Sequence, residues 1–98
     1  MITMIVSQTR PDVSIPFFQL TTPEELAAWD QHCSETYENK LTKSFFENGF
    51  TRTTTTTCPD KETADAYLAD PKTIAYRAAR DAYNESNGIS LTFTVTES

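Results

Sequence analysis

Histidine occurs once and glycine twice in this 98-residue chain, at His32, Gly49 and Gly88. Two glycines far apart cannot build the glycine-rich loop that cradles a phosphate group. A serine, threonine or cysteine nucleophile needs a base within hydrogen-bond reach, and the one histidine neighbours Cys33, from which it would point about 100° away on a helix. Two cysteines, Cys33 and Cys58, give neither a disulfide framework nor the spacing of a metal cluster. Eight basic residues against fourteen acidic ones leave a net charge of -6, which argues against holding a nucleic-acid backbone. No apolar run approaches the roughly 20 residues that cross a bilayer. The opening "MITMIVSQTR" has neither the basic start nor the apolar centre of a secretory signal.

What the chain has instead is threonine. "TRTTTTTC" at Thr51 to Cys58 holds five consecutive threonines, and Thr92, Thr94 and Thr96 alternate near the end. A β-branched carbon suits a pleated strand, while the methyl packs and the hydroxyl tolerates water. A helix would cost each of these threonines its χ1 freedom, so the run is read as strand.

The rest of the pattern follows the same physics. Ile2 to Thr9 is a β-branched strand ending at Arg10-Pro11, and the segment to Leu20 continues extended, although Pro16 confines it to a sheet edge or an irregular arm. Thr22, Pro23 and Glu25 form an N-cap, a first-turn proline and a capping box, opening a helix whose stripe is Leu26, Trp29, Cys33 and Tyr37. Leu41 to Cys58 reads as a hairpin turning at Asn48-Gly49 in a type I′ turn, with Glu47 opposite Phe50 and Ser44 opposite Thr53. Asp60 caps a second helical region that breaks at Asp70-Pro71 and runs to about Glu85, with Tyr67, Leu68, Ile74, Ala75, Ala78, Ala79 and Ala82 as its expected buried set. Gly88 suits the left-handed stop, and Ile89, Leu91, Phe93 and Val95 alternate with hydroxyl residues in a final strand.

This order predicts a single α+β domain over residues 1–98, of the ferredoxin-like split βαβ type (βαββαβ), with an antiparallel sheet and the helices on one face. The alternative is a three-stranded meander capped by the helices. In the first arrangement the uncovered sheet face carries Thr51, Thr53, Thr55, Thr57, Thr92, Thr94 and Thr96. Cross-strand threonine pairs alone account for such a face as ordinary sheet stabilisation, and as a binding surface it suits a protein partner or a second copy in a homodimer. An acidic group, Asp60, Glu62, Asp65 and Asp70, lacks the spacing of a calcium loop and is explained by capping. No cofactor and no metal site is expected.

"TRTTTTT", "YLADP" at Tyr67 to Pro71 and "RDAYNESNGI" at Arg80 to Ile89, with "TRPDVSIPFF" near the start, resemble short uncharacterised proteins of tailed bacteriophages infecting marine cyanobacteria. The resemblance implies a viral accessory or virion-associated product, found in the host cytoplasm or the virion, with no catalytic residue to carry over. Together with the missing catalytic groupings, it leads to the expectation of a non-enzymatic protein-interaction module. The alternative is a small dimeric α/β-barrel enzyme of monooxygenase-like type, in which two open sheet faces meet and His32, Tyr37 or Tyr83 supplies polar groups to a pocket between sheet and helices.

Overall fold

The computed structural model describes residues 1–18 and 22–98. Among them run β1 (Ile2–Thr9), α1 (Pro23–Thr36), β2 (Thr42–Glu47), β3 (Thr51–Cys58), α2 (Lys61–Ala69), α3 (Pro71–Asn87) and β4 (Ser90–Glu97). Gln19 and Leu20, the end of the expected arm, and Thr21 after them lie outside the described residues. The sheet order is β2-β3-β1-β4 with every pairing antiparallel, which is the ferredoxin-like arrangement. The threonine strand is therefore central and the final strand lies at an edge.

Helix boundaries sit where the side chains offer the backbone an oxygen. Thr22 Oγ1 accepts from the Glu25 N–H at 3.1 Å, Asp60 Oδ1 from the Thr63 N–H at 2.7 Å, and Asp70 Oδ1 from the Lys72 N–H at 2.9 Å. The break between α2 and α3 falls at Asp70-Pro71 as expected, and Gly88 ends α3 with φ 70°. The arm after β1 is irregular, one of the two forms that Pro16 leaves open. It is held by Arg10, whose Nε donates to the Gly49 carbonyl and Nη1 to the Ile15 carbonyl, both at 2.9 Å.

The hairpin differs from expectation by two residues. Glu47 pairs with Arg52, Phe46 with Thr53 and Ser44 with Thr55. Asn48 Oδ1 accepts from the Phe50 and Thr51 N–H groups at 2.9 and 2.8 Å, so the chain turns over Gly49-Phe50 and Gly49 does not take the positive φ of a type I′ turn. The side-chain amide of Asn48 supplies the turn. Because the slip is two residues and the pleat has period two, each side chain keeps its expected face.

Met4, Val6 and Gln8 of β1, Arg52, Thr54 and Thr56 of β3 and Phe93 of β4 share the helix-covered face. The packed core is small and sits at one end: Ile2, Met4, Cys58 and Ala64, with Leu41, Tyr67, Leu68 and Phe93 against them. At the other end a buried hydrogen bond from Asn84 Nδ2 to Gln8 Oε1, 2.9 Å, ties α3 to the sheet.

The expected buried set of α3 is corrected. Tyr67 and Leu68 are half-buried on α2, but Ile74, Ala75, Ala78, Ala79 and Ala82 face outward. The inward side is Thr73, Tyr76, Arg77, Arg80, Tyr83 and Asn84, each buried or half-buried. Two tyrosine rings and two long arginine stems cover more apolar surface than an alanine row.

Candidate functional site

Between this end of the sheet and the helices lies a cavity of about 490 Å³. Helix α1 contributes Leu26, Trp29 and Asp30, α3 contributes Tyr76, Arg77 and Arg80, and the floor is Met4, Val6, Gln8, Thr54 and Phe93. The Thr22 N-cap positions Trp29 by starting α1 at Pro23, from which Leu26, Trp29 and Cys33 follow at helical spacing. Tyr76 and Arg80 are one turn apart on α3, as are Arg77 and Arg80, so all three project toward the sheet.

The walls are aromatic. Trp29 and Tyr76 stack with centroids 5.6 Å apart and planes 20° from parallel, and Phe18 lies 5.5 Å from Tyr76. Burial pushes the Tyr67 hydroxyl up to about 12 and raises Tyr76 as well, so both remain protonated donors at neutral pH. Cations stand over the rings: Lys43 Nζ lies 5.0 Å from the Trp29 centroid and 5.1 Å from that of Tyr67, and the Arg77 guanidinium lies 4.9 Å over Phe93. Arg52 is paired with Glu47 at 2.7 Å.

The polar groups expected in such a pocket are elsewhere. His32 and Tyr37 both bond Asp70 Oδ2, at 2.6 and 2.5 Å, forming the joint between α1 and the α2–α3 break. Burial alone would raise the Asp70 carboxyl, but the bonds from Tyr37, His32 and the Lys72 N–H outweigh it and hold it at about 2. Burial and the Asp70 charge push Tyr37 well above the usual tyrosine range. Tyr83 packs on Phe18 and donates to the Pro16 carbonyl. Trp29, Tyr76, Arg77 and Arg80 went unnoticed as site residues because helical spacing gives a face but not what the face leaves empty.

The acidic group does not gather. Asp60 and Asp70 are caps and Asp65 pairs with Lys61 at 3.2 Å, and among the described residues no three potential ligands meet at a metal-binding distance.

The threonine row is where the alternation places it. Thr51, Thr53, Thr55 and Thr57 lie on the face away from the helices, opposite Thr9, Ser7, Ile5 and Thr3, and Thr92, Thr94 and Thr96 continue the rows on β4. Ile5 is half-buried at its centre, and Phe46, 66% exposed, stands at its edge. No helix among the described residues is long and apolar enough to cross a membrane.

No known family's sequence profile matches the chain, and no curated protein does. Solved structures do. SnoaB, a cofactor-independent oxygenase from Streptomyces nogalater, superposes with a TM-score of 0.58 at 10% identity over 99% of this chain and 91% of its own. A putative antibiotic biosynthesis monooxygenase from Deinococcus radiodurans gives 0.57 at 13% identity, covering 100% and 92%. Rv0793 from Mycobacterium tuberculosis gives 0.56 at 13%, covering 100% and 95%. The fold is thus the ferredoxin-like one of antibiotic biosynthesis monooxygenases. These likenesses correct the expectation of a non-enzymatic interaction module, which rested on the missing catalytic groupings together with the phage resemblance; the barrel-enzyme alternative is the better supported.

Proposed function

We propose that this chain is a small enzyme of monooxygenase-like type, acting on a flat aromatic molecule held between sheet and helices, and working as a homodimer joined through its threonine face. The observation that carries the reading is the aromatic cavity. Its volume of about 490 Å³ lies in the range of about 300 to 1,000 Å³ that small-molecule sites occupy. A molecule of two or three fused rings slides against faces such as Trp29 and Tyr76 while Tyr67 and Tyr76 offer hydroxyl donors to an oxygen on its rim.

The neighbour named as a cofactor-independent oxygenase indicates the chemistry to test. Without a cofactor, the substrate itself supplies the electrons: a ring CH₂ and one O₂ give a ring carbonyl and one water. The dimer reading is supported by the uncovered face, whose threonine methyls and central Ile5 are suited to pack on their own copy.

The experiment is oxygen uptake in air-saturated buffer with anthrone as substrate, followed by an electrode and by the appearance of anthraquinone. Uptake above the buffer rate that falls at least tenfold when Thr54→Trp fills the cavity supports the reading. Uptake that is indifferent to that substitution contradicts it.

A further inference from the structure

We infer that the molecule taken by this cavity carries a carboxylate, received by Arg77 and Arg80 of α3 with Lys43 on the facing wall; the inference rests on the cavity being a small-molecule site. Charge is its basis. The chain carries a net charge of -6, yet four of its eight Lys and Arg residues, Lys43, Arg52, Arg77 and Arg80, line this one cavity. A single acid, Asp30, lines it with them.

Partners inside the protein do not balance the set. Glu47 occupies Arg52 at 2.7 Å. Arg80, only 6% exposed, has a single carboxylate oxygen, Asp81 Oδ1, at 3.3 Å from both Nε and Nη2, and Asp81 itself does not line the cavity. Lys43 and Arg77 have no carboxylate partner among the described residues. They lie over ring faces instead, 5.0 and 5.1 Å from Trp29 and Tyr67 for Lys43 and 4.9 Å from Phe93 for Arg77. A ring face attracts a cation without supplying a counter-charge. Gathering cations along one cavity is unfavourable unless an anion completes them.

The geometry says which anion. Arg77 and Arg80, three residues apart, line the cavity from one side of α3; Asp81 holds the Nε–Nη2 edge of Arg80, so the Arg77 fork and the remaining edge of Arg80 are the donors open to a carboxylate. The surrounding faces of Trp29, Tyr76, Phe18 and Phe93 accommodate a flat apolar body attached to it. The ligand class is therefore an aromatic carboxylate, preferred over a neutral polycycle and over a free inorganic anion.

The test compares 2-naphthoate with 2-naphthamide, which have the same ring system and differ in charge. Trp29 is the chain's only tryptophan, so its indole N–H gives one NMR signal from the cavity wall. We expect 2-naphthoate to shift that signal with an affinity about tenfold higher than the amide, the scale of one charge-assisted hydrogen bond. The advantage should shrink at about 0.5 M salt. Arg77→Gln and Lys43→Met should each weaken 2-naphthoate several-fold and the amide less, so that the preference for the charged probe shrinks. Equal affinity of the two probes overturns the carboxylate inference and leaves the cavity reading standing, whereas no shift of the Trp29 signal by either overturns both. Should a variant fail to fold, the comparison of probes on the unaltered chain decides. A charge preference that survives both substitutions overturns the assignment to these residues.

Discussion

Trp29 of α1 and Tyr76 of α3 lie nearly parallel, ring centroids 5.6 Å apart, and this contact joins the two helices over the cavity. A double-mutant cycle with Trp29→Leu and Tyr76→Leu, followed by urea unfolding, should return a coupling of about 1 kcal/mol. A coupling near zero would mean that the rings do not meet in solution.

Asp70 gives the fold an acid-sensitive joint. Its carboxyl is held at about 2 in the folded chain, below the roughly 3.9 of an unfolded aspartate. A depressed value stabilises above the unfolded value, so the contribution, about 2 kcal/mol, is present at neutral pH and fades as pH falls from about 4 to 2. Asp70→Asn keeps a capping side chain but removes the charge. Thermal unfolding should place the variant below the unaltered protein at pH 7 and bring the two together near pH 2; a constant gap across that range would contradict the assignment.

The two glycines should behave oppositely. Gly88 has φ 70°, where any side chain is strained, so Gly88→Ala should cost about 1 kcal/mol. Gly49 has no such φ, and an added Cβ would meet only Val13 Cγ1 at 3.7 Å, so Gly49→Ala should change stability by less than about 0.5 kcal/mol. Asn48→Ala, which deletes the acceptor of two N–H groups, should cost about 1 kcal/mol. A costly Gly49→Ala with a harmless Asn48→Ala would restore the type I′ turn.

Burial raises the thiols of Cys33 and Cys58, with Lys43 opposing it at Cys33. Both are buried, and the thiolate is the reactive form. Ellman's reagent at pH 7.5 should therefore react slowly with the native chain and promptly with two thiols in guanidinium chloride. Prompt native reaction would show that one of these sites is open.

Most of the architecture was legible because it is written in local chemistry. Thr22-Pro23 and Asp70-Pro71 set helix starts through caps, and the alternation of β4 set its faces, so element order and sheet class follow with little tertiary input. Two features were not. The turn moved because the Asn48 side chain closes it, a choice that the dipeptide Asn48-Gly49 leaves open. Helix α3 presents Tyr76, Arg77 and Arg80 inward, where counting apolar residues favours its alanines. The cavity was hidden for the same reason, since its walls come from segments distant in sequence and its cations look like an ordinary solvated face.

The most direct test of the account is an amide and methyl NMR footprint of 2-naphthoate on the unaltered chain. The account predicts shifts concentrated at Met4, Val6, Thr54, Trp29 and Arg80, the floor and walls of the cavity. Shifts confined to Thr53, Thr55 and Thr94 on the opposite face, or none at saturating ligand, would contradict it.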